Sequence, residues 1–152
     1  MRDISGLGGL PLYLVVQGGA VALSIRPLAE DLAAVLVLSY AVTWPLRLIW
    51  FRPRPVPQAH GSLLQRIDAS SFPSLHAVRG TAFWTLIAAV TWNPGVAAIC
   101  ALNVVLIAWT RTWLKRHHPS DVAVGMVLGV FVVLIVLWCQ DVWTKIGNAV
   151  GL

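Results

Sequence analysis

Apolar residues in this chain gather into long runs, and polar and charged residues collect at the joints between them. The runs are Leu7 to Ile25, Leu32 to Phe51, Ala77 to Trp92, Val96 to Trp109 and Val122 to Cys139. A helix that crosses a bilayer needs roughly 20 apolar residues. The pattern therefore predicts an all-α, polytopic transmembrane helical bundle of about five spans. The first run contains Pro11 and Gly18-Gly19, and the fourth reaches spanning length only if its helix continues past Arg111. Between the third and fourth runs, Asn93-Pro94-Gly95 reads as a tight turn.

Tryptophan placement agrees with these boundaries. Trp50, Trp109 and Trp113 fall near segment ends that would share one membrane face, and Trp92, Trp138 and Trp143 near the other. Indoles favour the interface because an apolar ring carries one polar handle. Trp44 and Trp84 sit deeper and are expected to pack inside the bundle. Gly125 and Gly129 follow Asp121 at four-residue intervals and form a narrow face for close helix contact. Asn103, in the middle of the fourth run, is read as an interhelical hydrogen-bond donor.

Composition narrows the class. The chain is 58% hydrophobic and 11% charged, far from a soluble domain. Its 152 residues make a single integral membrane domain, with a motif-bearing core over about 32–140. The net charge of +5 does not indicate a nucleic-acid partner, because the basic residues sit between apolar runs. Anionic headgroups, or a phosphorylated membrane-lipid substrate, account for them better. Cys100 and Cys139 lie inside apolar runs with no CxxC pairing and are expected to be small buried hydrophobes.

Alternating spans bring three charged clusters to one membrane face: Arg47 to Arg54-Pro55 after the second run, Pro73 to His76 before the third, and Arg111 to Asp121 between the fourth and fifth. Charge kept beside a bilayer is expensive and marks a functional site by default. Arg47, Arg54 and Arg111 offer planar forks that match phosphate oxygens and stay protonated. Ser74, preceded by Pro73, stands where a helix should begin, and free N–H groups there favour an anion. His76 follows within the first turn and is placed to move a proton. His117 and Asp121 are four residues apart, so a helical start would put them on one face, with the carboxylate fixing the imidazole tautomer. Arg79, one turn after His76, is a possible further pocket residue.

A metal mechanism fits poorly. Of six acidic residues, only Asp68 and Asp121 besides Asp3 lie near this face, and the four histidines show no ligand spacing. No metal or other cofactor is expected. His60 and His118 read as headgroup contacts, as do Arg52, Arg66, Lys115 and Arg116.

The three clusters resemble the signature of the type 2 phosphatidic acid phosphatase superfamily, K-x6-RP, PSGH and SR-x5-H-x3-D. Here they read Arg47-x6-Arg54-Pro55, Pro73-Ser74-Leu75-His76, and Thr110-Arg111-x5-His117-x3-Asp121. The resemblance implies that His117 is a nucleophile forming a phosphohistidine, that Asp121 orients it, and that His76 serves as acid and then base. It further implies that Arg47, Arg54, Ser74, Leu75 and Arg111 hold the phosphoryl oxygens, without a metal. Arg47 stands in place of lysine, Thr110 in place of serine, and Leu75 in place of glycine. Leu75 can donate its N–H only from a negative φ. The familiar membrane members have six spans, one more than the five counted here.

The resemblance implies a lipid phosphate phosphatase of a bacterial cell membrane, acting on a polyprenyl or glycerolipid mono- or diphosphate. Alternatives are a lipid phosphotransferase with the same intermediate, a haloperoxidase, and a non-catalytic lipid-binding protein. The proposed site face carries Arg2, Arg52, Arg66, Arg79, Lys115 and Arg116 against Arg26 and Lys145 on the other, which favours a cytoplasmic-facing site over a periplasmic one. The oligomeric state is not encoded in any motif.

Overall fold

A computed structural model describes residues 9–56 and 61–150, with backbone alone for 146, 147, 149 and 150. The chain forms α1 (Leu10–Ala22), α2 (Arg26–Ile49), α3 (Leu63–Ala69), α4 (Leu75–Thr91), α5 (Pro94–Trp113) and α6 (Pro119–Val150). Five of these coincide with the five apolar runs. Three, α2, α5 and Pro119–Lys145 of α6, combine the length and apolarity of a membrane crossing. The 13 residues of α1 fall short of that length. Of the 17 residues of α4, the first turns carry His76 and Arg79. The fold is an all-α membrane helical bundle.

Helix α4 lies at the centre, packed most extensively on α6 and also on α5 and α2. Its interior position follows from its sequence: Ala77, Val78, Gly80, Ala82 and Leu86 present small or compact side chains, all buried. Gly125 and Gly129 of α6 lie directly against it. A Cβ on Gly129 would fall 2.5 Å from the Val78 carbonyl oxygen, so the helices meet backbone to backbone there. The apolar core beyond joins Tyr13, Leu32, Val35, Phe83, Val132, Val133 and Val136. Outside, Ile99, Leu102 and Val105 on α5 and Val127, Phe131 and Leu134 on α6 are exposed. Such a continuous apolar exterior suits lipid and would be unstable in water.

Local chemistry ends the helices where the charged clusters need to be. Trp92 takes a left-handed conformation (φ 48°) after α4, and the Asn93 side chain caps α5 through the Gly95 and Val96 N–H groups at 2.9 and 3.2 Å. This tight turn, as predicted, makes α4 and α5 antiparallel neighbours and returns Arg111 to the end that holds His76. Helix α5 does continue past Arg111, to Trp113.

Three expectations are corrected. Asn103 bonds the Ile99 carbonyl oxygen of its own helix at 2.9 Å, since α5 turns this face away from its neighbours. Trp44 is exposed, stacked edge-on against Tyr40 on the outer side of α2, whereas Trp84 packs against the core as expected. Cys100 is buried, but Cys139 points outward from α6; both are free.

Candidate active site

The three charged clusters meet at one end of the bundle. The third forms as α5 terminates: Lys115 adopts a left-handed φ of 51°, the Arg116 N–H bonds the Arg111 carbonyl oxygen at 3.2 Å, and the Lys115 N–H bonds that of Thr112 at 3.0 Å. This is a Schellman turn. It folds the chain back so that the His117 N–H also reaches the Arg111 carbonyl oxygen, at 3.3 Å. Helix α6 then begins at Pro119, whose fixed φ suits a first helical position.

That boundary changes the expected histidine–aspartate pair. His117 lies before the helix, and its Nδ1 meets the Ser71 carbonyl oxygen at 2.7 Å, not the Asp121 carboxylate. A carbonyl only accepts, so Nδ1 carries the proton of the neutral ring and Nε2 keeps its lone pair. Asp121 instead caps α6: Oδ2 accepts from the His118 N–H at 2.9 Å, and Oδ1 accepts from Arg52 Nη1 at 2.7 Å. Its own carbonyl accepts from the Ser74 N–H at 3.1 Å, which stitches the start of α6 to the start of α4.

Ser74 is the N-cap of α4, its Oγ accepting from the Ala77 N–H at 3.4 Å. The N–H groups that follow, of Leu75 and His76, belong to the orphan donors of a helix start. Leu75 is not among the described non-glycine residues with positive φ, so leucine replaces glycine here without backbone strain.

The arginines divide by role. Arg47, buried in the last turn of α2, spends Nε and Nη2 on the Pro73 carbonyl oxygen (3.1 and 3.0 Å) and Nη1 on that of Ile67 (3.2 Å). Three of its five N–H donors thus clamp the segment leading into Ser74. Arg54 is held to α3 by the Asp68 carbonyl oxygen at 2.5 Å and its carboxylate at 3.7 Å, with a buried Nε that has no partner among the described residues. Arg111 is buried in the last turn of α5. Arg79 is buried and donates from Nη1 to the Tyr40 hydroxyl at 2.9 Å.

Electrostatics follow from this crowding of cations in a desolvated space. Burial, opposed by the Ser71 carbonyl and reinforced by Arg54 and Arg47, pushes His117 down to about 4. Burial with Arg111 and Arg79 lowers His76, which precedes the apolar stretch of α4, to about 3. Both rings are therefore neutral at pH 7. A bound phosphate dianion would offset the cations and favour protonation of His76.

The segment between α2 and α4 carries α3 and closes against the site through Ser71, whose N–H bonds the Arg52 carbonyl oxygen at 2.7 Å. Two contributors were not identified in the sequence. Arg52 was read as a headgroup contact but pairs with Asp121 and Ser120 (2.8 Å); its Arg-Pro repeat with Arg54 is the local signal. Ser71 acts through its backbone, which leaves no side-chain signature. His60 lies outside the described residues. His118 contributes its backbone N–H.

A cleft of about 860 Å³ opens at the opposite end, between the start of α2 and the end of α6, lined by Glu30, Asp31, Asp141 and Trp143 among others. Its acidic lining would repel a phosphate, so it is not the reaction site.

Residues 29–145 match the PAP2 superfamily. The chain is 35% identical over 137 residues to the decaprenylphosphoryl-5-phosphoribose phosphatase of Mycobacterium tuberculosis, covering 86% of this chain and 70% of that one. A protein of Escherichia coli provisionally named undecaprenyl-diphosphatase YbjG is 29% identical, over 91% of this chain and 69% of its own. The undecaprenyl-diphosphatase BcrC of Bacillus subtilis is 29% identical, over 65% and 49%. No solved structure matches.

Proposed function

Because the chain belongs to the PAP2 superfamily and is a phosphatase acting on lipid phosphates, we propose that it hydrolyses a polyprenyl phosphate or diphosphate through a phosphohistidine on His117, without a metal ion. The observation that carries this reading is the Nδ1 contact of His117 to the Ser71 carbonyl, which leaves Nε2 as a lone-pair nucleophile among arginines.

In the first step Nε2 attacks phosphorus in line, and the bond to the lipid-side oxygen breaks as His76 supplies a proton to it. In the second, His76 takes a proton from water, which displaces the histidine and releases inorganic phosphate. Arg54, Arg111 and the N–H groups at the start of α4 stabilise the charge that builds on the equatorial oxygens. Arg47 acts mainly by holding Pro73 in place, with donors remaining for phosphate. The donors converging here are arginine, imidazole and backbone N–H, a set suited to phosphate oxygens and not to a cation. The exterior apolar surface lets the tail stay in the bilayer while the phosphate reaches the helix ends, and tail burial supplies about 0.8 kcal/mol per methylene.

The site faces the cytoplasm in this reading. Arg79 is buried and Arg52 is paired with Asp121, so neither counts as an orientation signal; Arg66, Lys115 and Arg116 remain exposed at the site end against Arg26 and Lys145 at the other. A cysteine introduced at Lys115 should resist impermeant thiol reagents in right-side-out vesicles and react in inverted ones; the reverse pattern refutes the orientation.

The direct test is phosphate release from polyprenyl and glycerolipid mono- and diphosphates in detergent, with EDTA, together with alkaline denaturing quenching to trap the phosphoenzyme. Turnover should survive EDTA, and an acid-labile phosphoenzyme should form in the wild type but not in His117→Ala. Wild-type turnover by His117→Ala would refute the mechanism, and an absolute need for added magnesium would refute its metal independence.

A further inference from the structure

The cleft at the far end of the bundle takes no part in the chemistry above. Asp121 and Gln140 stand about 28 Å apart along α6, at a rise of about 1.5 Å per residue. The volume of the cleft, about 860 Å³, is that of a small-molecule site. Its lining is graded. Glu30 and Asp31, in the first turns of α2, and Asp141 and Trp143, late in α6, form the outer part. Leu38, about 10 Å further along α2, and Val136 of α6 form the inner part. One end of the cleft is therefore acidic and the other apolar.

The acidic end is not balanced by cations. Asp141 is paired with Lys145 at 2.5 Å, whereas neither Glu30 nor Asp31 has an ion pair among the described residues. Asp31 is only 4% exposed, and its one hydrogen-bond partner among those residues is the neutral amide of Gln140. A carboxylate so far from water is costly unless a cation meets it. Trp143 is exposed in the same lining, and an indole face favours a cation too.

The geometry points to a binding site for an amphiphilic amine, its ammonium group held by Asp31 and Glu30 and its apolar chain lying along Leu38 and Val136. The ligand class is an ammonium joined directly to hydrocarbon. A phosphate between the two, as in a zwitterionic phospholipid, would fall against the carboxylates or the apolar inner wall, and neither receives it. A long-chain amine from the bilayer and a shorter one from water share this chemistry. The inference is independent of the phosphatase reading and uses none of its residues.

The test is thermal unfolding of the full chain in a maltoside detergent with octylamine, octanol or octyl sulfate, which share one chain length. Octylamine should raise the unfolding temperature saturably, and the other two should not. Asp31→Asn, nearly isosteric, should weaken octylamine binding about 10- to 100-fold, the weight of a charge-assisted hydrogen bond. Glu30→Gln should weaken it severalfold; Glu30 is exposed, so this variant provides the reading if Asp31→Asn does not fold. Butylamine should bind more than 10-fold more weakly than octylamine, since each buried methylene is worth about fourfold in affinity. Hexadecylamine separates the two sources: a further gain over octylamine marks a bilayer amphiphile, and no gain marks a soluble amine. Equal stabilisation by octanol, or full octylamine binding in both Asp31→Asn and Glu30→Gln, overturns the site.

Discussion

Gly125→Ala adds one methyl group where α6 crosses the start of α4, and its effect should appear in turnover more than in folding. A Cβ at Gly125 would lie 2.9 Å from the Ala77 Cβ and 2.9 Å from the Ser74 carbonyl oxygen. Neither neighbour is the end of a flexible side chain. Restoring ordinary contact at about 3.5 Å requires the two helices to part by roughly 0.6 Å at this point. Overpacking of this kind costs about 1–3 kcal/mol. The segment that must move carries Ser74 and His76, which in the proposed mechanism would face the phosphate with His117. A misplacement of about 1 Å at a reacting centre can lower the rate about 100-fold, so kcat should fall roughly 10-fold. Gly129→Ala supplies the contrast. Its Cβ would meet the Val78 carbonyl oxygen at 2.5 Å, the Thr81 Cβ at 2.8 Å and the Ala82 nitrogen at 3.0 Å, one turn further from the chemistry. It should therefore show the greater loss of thermal stability in detergent and the smaller loss of kcat per degree of destabilisation. Wild-type kcat in a well-folded Gly125→Ala would refute the view that this glycine sets the position of the catalytic helix start.

Further outcomes follow from the same geometry. Asp121→Asn should reduce kcat about 10-fold and not the about 10⁴-fold expected when a carboxylate alone fixes an imidazole tautomer, because the Ser71 carbonyl holds His117; a loss near 10⁴-fold would show that the carboxylate swings onto the ring during turnover. The acid-side loss of kcat/KM should be displaced well below the ordinary histidine range, since His117 must be neutral to attack and its folded value is about 4: activity should not be lost until pH falls toward 4, and a loss with its midpoint near 6.5 would contradict the burial of the ring. Because that folded value lies below the unfolded one, stability should be fully present above about pH 6.5 and decline as pH falls toward 4, as read by thermal unfolding in detergent. Lys115→Gly should raise stability by about 1 kcal/mol, since the Schellman turn places a side chain at φ 51°; an unchanged or lowered unfolding temperature would count against strain there.

How far the sequence foretold this structure depends on the kind of signal each feature leaves. The helix bundle was legible because apolar runs of spanning length and the Asn93-Pro94-Gly95 turn are local patterns, and the alternation of spans then required the three clusters to converge. Ser74 as a helix start was legible from its proline and the apolar run beyond. The Gly125–Gly129 face was legible as packing, although its bearing on the active site emerges only from its contact with Ser74. What stayed hidden depends on a helix boundary or on backbone atoms. His117 and Asp121 have the spacing of a pair on one helical face, but Pro119 starts α6 between them, and the Lys115 turn directs His117 toward a carbonyl 46 residues away. Arg52 reaches Asp121 across 69 residues, a separation that no local pattern reports.

The arrangement also explains why this site needs so many residues that never touch phosphate. Cations gathered in a desolvated space repel one another and would spread apart unless fixed. The chain fixes them largely with backbone carbonyls: Pro73 and Ile67 hold Arg47 and Asp68 holds Arg54, and the Ser71 carbonyl orients the neutral His117 ring in the same way. A carbonyl accepts a hydrogen bond while carrying no net charge, so it orients a cation without cancelling the attraction for an anion. A carboxylate in the same place would neutralise the pocket and compete with the substrate. The acidic exceptions fit this logic, since Asp121 turns its oxygens to Arg52 and the α6 cap, and Asp68 is largely exposed. The positive field is therefore left for the phosphate to offset, and that same field keeps His76 and His117 unprotonated until an anion arrives.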